Sequence, residues 1–215
     1  MVTPSTGSSA QQPPKRSMLP LVFIVVICLA PVLFAVLAYY VPSLGLRPDG
    51  HNNYGTLVDP QRPVPTSQEL PLTTLEGQPF DLASLHGKWI LITADQAACP
   101  ESCVKKLFIL RNSHASQGKN VERLSRVWFI TDTDSVPDEQ ILLAYKGTNM
   151  LRVAPDKLAA WLAPQASPEQ INAALQAPMW IVDPLGNLMM EFPADADPIE
   201  VRDDITKLLK NSRIG

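Results

Sequence analysis

The stretch Trp89-Ile90-Leu91-Ile92-Thr93-Ala94-Asp95-Gln96-Ala97-Ala98-Cys99-Pro100-Glu101-Ser102-Cys103 decides how this chain folds and where its chemistry lies. Trp89 to Ala94 is a near-continuous apolar run, the pattern of a strand buried on both faces in a sheet flanked by helices. Pro100 then supplies a fixed φ and lacks an amide proton, which suits the first turn of a helix. This predicts a helix from Pro100 to about Ser113, with Cys99 at its cap and Val104, Leu107, Phe108 and Leu110 on its buried side. Cys103 lies one turn beyond Cys99 on the same face, so both sulfurs meet one spot. A rise of about 1.5 Å per residue puts their Cα atoms roughly 6 Å apart, within reach of a disulfide. A thiol at a helix N-terminus also feels unpaired amide protons and the positive end of the helix dipole, which makes Cys99 the better nucleophile. Glu101 opposes that effect, while Lys105 and Lys106 sit a turn further on.

Before this stretch, residues 19–41 form an apolar segment without a charged residue, interrupted by Pro31. It exceeds the ~20 residues needed to cross a bilayer, so it is read as a transmembrane anchor. Lys15 and Arg16 precede it, and the positive-inside rule places the N-terminus in the cytoplasm of a bacterial inner membrane and the following domain in the periplasm. A cleaved signal peptide is the rival reading, with Val36 and Ala38 as the small-residue site, but the apolar run is longer than an h-region of ~7–15 residues. Export puts the cysteines in a compartment where disulfides persist. Of the three cysteines, Cys28 falls inside the apolar segment, which leaves Cys99 and Cys103 to each other.

The chain divides into a disordered tail (1–18), the anchor (19–41), a Pro-rich linker (42–70) and a folded domain (71–215). The linker is read from Pro42, Pro48, Pro60, Pro63 and Pro65, with His51 a solvated loop residue. Within the domain, Leu72–Leu75, Trp89–Ala94, Val127–Ile130, Met150–Val153, Met179–Val182 and Leu188–Met190 read as strands. Helical patterns occupy residues 100–113, 137–145, 156–162 and 198–210. Strands alternating with helices, then a terminal hairpin around Asp183-Pro184-Leu185-Gly186-Asn187, predict an α/β sandwich. Trp89, Trp128 and Trp180 are assigned to its core. The 18 basic and 21 acidic residues nearly balance, so no broad basic surface points to nucleic acid. No Gly-rich phosphate loop or recognisable Ser/His/Asp spacing points to a kinase or hydrolase.

Leu85-His86-Gly87-Lys88-Trp89, Cys99-Pro100-Glu101-Ser102-Cys103 followed by Leu107, and Asp183-Pro184-Leu185-Gly186 together resemble the Sco/SenC family of cytochrome oxidase assembly proteins. The resemblance covers roughly the exported domain and implies a membrane-anchored thioredoxin-like fold. It also implies a role in delivering copper to, or reducing the cysteines of, the copper centre of cytochrome c oxidase. Sco proteins hold copper with the two cysteines and a histidine just before the late Asp-Pro-x-Gly strand. That region here reads Ala173-Ala174-Leu175-Gln176-Ala177-Pro178-Met179-Trp180, with no histidine. Val104 replaces the proline that commonly follows the second cysteine, and the stretch between Asp134 and Pro178 is short for the family. Thioredoxin-like redox proteins carry a cis-proline at the corresponding strand, facing the cysteines. Pro178 would fill that role; a trans proline that simply begins a strand is the other reading.

The preferred chemistry is thiol–disulfide exchange in the service of oxidase copper-centre maturation: Cys99 attacks a partner disulfide, Cys103 resolves the mixed disulfide, and Pro178 completes the site. A Cu(I) carrier is the alternative, because soft thiolates select Cu(I), with Cys99 and Cys103 as ligands and Met179, Met189, Met190, His86 and His114 as the available further donors. The histidines read more simply as surface residues and the methionines as core filler. Asp132 and Asp134 read as solvated loop carboxylates. A structural disulfide closing so short a loop would constrain the unfolded chain little. A non-catalytic assembly factor is the third class. Partners are the membrane and an oxidase subunit or another periplasmic thiol protein, with no nucleic acid.

Overall fold

Strand β4 (Trp89–Asp95) is buried along its whole length. It lies inside an eight-stranded sheet of order β1-β8-β7-β4-β5-β6-β2-β3. The computed structural model describes residues 18–41, 53–132 and 134–214, in two compact units, Met1–His51 and Asn52–Gly215. In the first unit, helix α1 (Leu19–Tyr40) runs for 22 residues with no buried side chain and carries Pro31 inside it. Its length and composition suffice to cross a membrane. Residues 1–17 of the expected tail and residues 42–52 of the expected linker, His51 among them, lie outside the described residues.

In the second unit, β1 is Thr56–Pro63, β2 Leu72–Thr74, β3 Pro79–Phe80, β5 Leu124–Ile130, β6 Asn149–Arg152, β7 Met179–Val182 and β8 Asn187–Phe192. The helices are α2 (Glu101–Ala115), α3 (Glu139–Ala144), α4 (Pro155–Leu162), α5 (Ile171–Gln176) and α6 (Pro198–Asn211). β4, β5 and β6 run parallel, and β7 lies antiparallel to β4 with Thr93 opposite Met179. The parallel pairs are joined through α2 and α3, as parallel strands require.

Alternation along β4 divides the core. Ile90, Ile92 and Ala94 face α4 and α5, with Trp180 and Leu175 in that layer. Trp89 and Leu91 face α2 and α6, packing on Ile109, Leu110, Val201 and Ile205. All three tryptophans assigned to the core are buried there, and the α/β architecture agrees with the sequence pattern.

Two segments that carry the family resemblance meet each other. Gly87 N donates to Pro184 O at 2.9 Å. His86 Nε2 sits where a Cβ on Gly186 would come within 2.7 Å, and Gly186 itself has φ +86°. Only glycine meets both demands without strain.

The linker assignment needs correcting at its C-terminal part. Thr56–Pro63 joins the sheet as its edge strand, pairing antiparallel with β8 through Thr56–Glu191 and Leu57–Met190, then Arg62–Leu188 after a bulge. Prolines discourage a strand only where a ladder hydrogen bond is needed. At an edge beside a bulge, Pro60 and Pro63 are tolerated. The preceding turn is also tied down: the buried Asp204 carboxylate accepts from Tyr54 N at 2.6 Å and Gly55 N at 2.9 Å. Helix α5 has no signature in the sequence, because its six residues, two of them alanine, carry little periodicity.

A chain beginning at residue 66 therefore loses β1 and leaves Asp204 without its two amide donors. We expect its urea unfolding free energy to fall by at least about 2 kcal/mol relative to a chain beginning at residue 52, from lost hydrogen bonds and apolar cover. Equal midpoints would show that β1 contributes nothing to the domain.

Candidate functional site

The backbone leaving β4 delivers the two cysteines to one point. Asp95 ends the strand, Gln96 N donates to its own neighbour's Asp95 Oδ1 at 2.9 Å, and Cys99 N closes a turn on Gln96 O at 3.1 Å. Asp132, at the end of β5, accepts from Ala97 N at 2.7 Å and so fixes this loop. Asp132 is thus a positioning residue rather than a solvated carboxylate. Arg152 in turn donates to the Asp132 carbonyl at 3.1 Å.

Pro100 is the cap of α2 and Glu101 its first helical residue, so Cys99 stands one position outside the cap that the sequence assigned to it. Its φ of +40° is left-handed, rare for a residue with a Cβ, and the local cost of that conformation is on the order of 1–2 kcal/mol. The turn draws Cys99 back toward the helix. Cys99 and Cys103 form a disulfide with Cα atoms 5.0 Å apart, closer than continuous helical geometry would set them.

The disulfide is enclosed. Cys99 is 6% exposed and Cys103 not at all, in a cluster with Ala97, Leu107, Trp128, Ile130 and Tyr145. Leu75, Val104, Ile141 and Met150 pack against this cluster. The Tyr145 hydroxyl donates to Val104 O at 3.4 Å, tying the chain after α3 to the first turns of α2. Trp128 and Thr93 are register partners on β5 and β4, and Trp128 Nε1 and Thr93 Oγ1 are buried without a hydrogen-bond partner.

Lys106, read from the sequence only as a charge a turn beyond Cys99, is a buried tie. Three residues past Cys103, its ammonium lies 3.0 Å from Asp95 Oδ2, with both side chains almost fully buried. It donates to Ala94 O at 3.0 Å and also to Gln176 O. One amine therefore ties the end of β4, helix α2 and the C-terminal end of α5. Burial lowers its pKa from the usual lysine value, and the Asp95 carboxylate opposes that shift. The available signal was an acidic residue ending an otherwise buried apolar run, which must find a partner.

Other residues singled out from sequence lie elsewhere. The Ala177–Pro178 bond is trans; among the described residues the cis bond is Asp59–Pro60. Pro178 lines a cleft of about 1060 Å³ with Val58, Arg62, Leu162, Ala174 and Trp180, on the α4 and α5 side of the sheet. Met179 and Met190 belong to the layer under α2 and α6, with Met189 against it. His86 is held at the Gly186 turn, and His114 lies in the last turn of α2. None of these five donors joins the cysteine cluster; Met150, read from the sequence only as the start of a strand, packs against it. Among the described residues, no group of three or more His, Cys, Asp or Glu side chains gathers as a metal site.

A mixed sheet whose central strand leads through a Cys-x3-Cys turn into a helix is a thioredoxin-like arrangement. Residues 89–212 match the family described as transmembrane-like, thioredoxin-like, C-terminal domain, and the chain belongs to that family. Among solved structures it is similar to BsSco, a member of the Sco family of cytochrome c oxidase assembly proteins in which a disulfide switch has been identified. That likeness has 16% identity and a TM-score of 0.50, over 72% of this chain and 96% of that one. A thiol:disulfide interchange protein from Bacteroides sp. is similar at 15% identity and a TM-score of 0.50, over 71% and 91%. A protein from Aquifex aeolicus VF5 matches at 16% identity and a TM-score of 0.51, over 70% and 98%. At these identities the shared property is the fold. No curated protein sequence matches the chain.

Replacing Lys106 by Met strands the Asp95 carboxylate in the interior. The expected loss is about 3–5 kcal/mol by urea unfolding, the cost of breaking a buried pair from one side. Adding Asp95→Asn to Lys106→Met should recover much of it. An unchanged single variant would mean that the pair is solvated.

Proposed function

We propose that this chain is a membrane-anchored thiol–disulfide redox protein that assists maturation of the copper centre of cytochrome c oxidase. The observation that carries the reading is the Cys99–Cys103 disulfide at the start of α2, directly after the central strand. Both the disulfide's place and the family's fold support redox work at this point. The resemblance of the cysteine motif and of the Asp183–Gly186 turn to Sco proteins supports the oxidase assignment. Helix α1 supports the anchor, with Lys15 and Arg16 favouring a cytoplasmic N-terminus and a periplasmic domain.

In the reduced form the Cys99 thiolate attacks one sulfur of a partner disulfide, and the other partner sulfur leaves as a thiolate. The Cys103 thiolate then attacks Cys99 Sγ, which releases the second partner thiol and leaves the Cys99–Cys103 disulfide. The partner gains two electrons and, after protonation, two protons; a dithiol reductant restores this chain. The strained Cys99 backbone, the loop held by Asp132 and the helix held by Lys106 keep the two sulfurs in register through the cycle. With Cys99 only 6% exposed, partner approach requires the side chains packed around the cysteine cluster to yield.

Copper handling is the second reading. The two thiolates are soft ligands, and the Met150 thioether packs against the cluster that holds them. Cu(I) would be cargo at this site, held by Cys99 and Cys103.

The test is trapping in cells that carry the full chain. Cys103→Ser leaves Cys99 free to attack but unable to resolve, so it should accumulate covalent, dithiothreitol-sensitive complexes with a thiol protein; Cys99→Ser should not. Cu(I) titration of the reduced full chain against a competing chelator separates the readings. Tight binding of one ion, lost in Cys99→Ser/Cys103→Ser, together with absence of trapped complexes, would favour copper carriage and overturn the redox assignment.

A further inference from the structure

The cleft of about 1060 Å³ beside Pro178 lies between strands β1, β8 and β7 and the chain of α4 and α5, and the redox reading makes no use of it. Strand register fixes its floor. Thr56 stands opposite Glu191, and Glu191 opposite Trp180, so the three form one row across β1, β8 and β7. Trp180 belongs to the α4 and α5 layer, which puts Glu191 on that face too. The two side chains meet there: Trp180 Nε1 donates to Glu191 Oε2 at 3.3 Å. Arg62 stands opposite Leu188, a member of the same layer, and its Nη2 donates to the carbonyl of Leu162, the last residue of α4, at 3.1 Å. The walls are short and stiff, built from residues such as Pro60, Pro164, Ala174 and Pro193. Alanine and proline have no side-chain rotamers to lose, so a ligand that fills the cleft orders little of the protein.

Arg62 and Glu191 are both half-buried in this cleft; its third charged residue, Asp59, is exposed in the bulge of β1. Burial lowers the Arg62 pKa and the Glu191 charge opposes that shift, yet among the described residues no ion pair joins the two. Each keeps an open atom. Arg62 Nε is enclosed, but Nη1 is neither enclosed nor hydrogen-bonded, and Glu191 Oε1 is likewise open. Their rows cross β8 at Leu188 and Glu191, three residues apart, or roughly 10 Å at about 3.3 Å per residue. An extended peptide covers that span in about three residues. A lone anion on Arg62 would be repelled by Glu191, and a lone cation on Glu191 by Arg62. A ligand with one charge of each sign at its two ends satisfies both.

We propose that this cleft binds a short zwitterionic peptide of two or three residues, its terminal carboxylate on Arg62 and its terminal ammonium on Glu191. The carboxylate accepts from Arg62 Nη1–H, and the ammonium donates to Glu191 Oε1. Both are charge-assisted hydrogen bonds, the stronger kind, and together they fix the direction of the peptide. Small apolar side chains suit the proline and alanine walls, which offer no further charge to select among them. The site goes beyond the redox reading and stands or falls independently of it.

The experiment uses the full chain in phosphatidylcholine nanodiscs, which keep detergent out of the cleft, titrated with tri-alanine at constant ionic strength. The readouts are the Trp180 indole N–H NMR resonance and the calorimetric Kd. A saturable shift is expected, with binding weakened at least tenfold when the peptide is N-acetylated or C-amidated. Glu191→Gln keeps an acceptor for the Trp180 indole, and it should weaken tri-alanine binding at least tenfold while erasing the difference between free and acetylated peptide. Arg62→Gln should erase the difference between free and amidated peptide. Because the blocked and free peptides are compared on the native chain, the proposal is tested even where a variant fails to fold. No saturable shift with tri-alanine, or equal binding of the peptide blocked at both ends, would overturn it.

Discussion

The ion pair between Asp95 and Lys106 is the constraint around which this domain is organised. It forms where the central strand stops and helix α2 passes over it, and the same ammonium reaches across to the Gln176 carbonyl before β7. Against an apolar replacement, a buried pair is a weak source of stability; against removal of one partner, it is costly. Its effect is therefore specificity of placement. Helix α2 has one axial position and one rotation in which Lys106 meets all three acceptors. Cys103, one turn earlier, is set by that choice.

Cys99 is placed by other means. The residue before a proline is kept out of the right-handed helical region, and here it takes a left-handed backbone held by the Gln96 turn and by Asp132 on the Ala97 amide. One cysteine thus rides on the helix and the other on a strained loop, with separate anchors. A disulfide joining residues four apart adds only about 2 kcal/mol by restricting the unfolded chain, less than half of what a 100-residue loop would give. An enclosure built from Trp128, Ile130, Tyr145 and two anchored segments is more structure than such a staple needs. It is what a site requires if it must hold two sulfurs in register whether bonded or free.

Much of this is legible in the sequence alone. The run from Trp89 to Ala94 could be a strand because it is apolar on both faces, and Pro100 marked the helix start to within one residue. The hairpin at Asp183–Gly186 followed from its turn residues, with Asp183 accepting from Leu185 N and Asn187 N as such turns require. What escaped was set by tertiary partners. Thr56–Pro63 has the composition of a spacer and becomes a strand only because β8 offers an edge. The sequence places Lys106 a turn beyond Cys99 but does not show the buried Asp95 carboxylate that it meets. Pro178 invited a cis assignment by analogy, yet it opens onto the cleft beside α5 with a trans bond. Asp132 looked like a loop acid because the amide it accepts lies 35 residues away in sequence.

The central claim is that Cys99–Cys103 is a working couple and not a staple. The most direct measurement is an equilibrium redox titration of the full chain in detergent against dithiothreitol buffers, with thiol state read by alkylation and mass. The account predicts a reversible two-electron couple with a midpoint above about −300 mV, the region of exchangeable rather than structural disulfides. A bond that stays oxidised below that potential, or that reduces only as the domain unfolds, would contradict it.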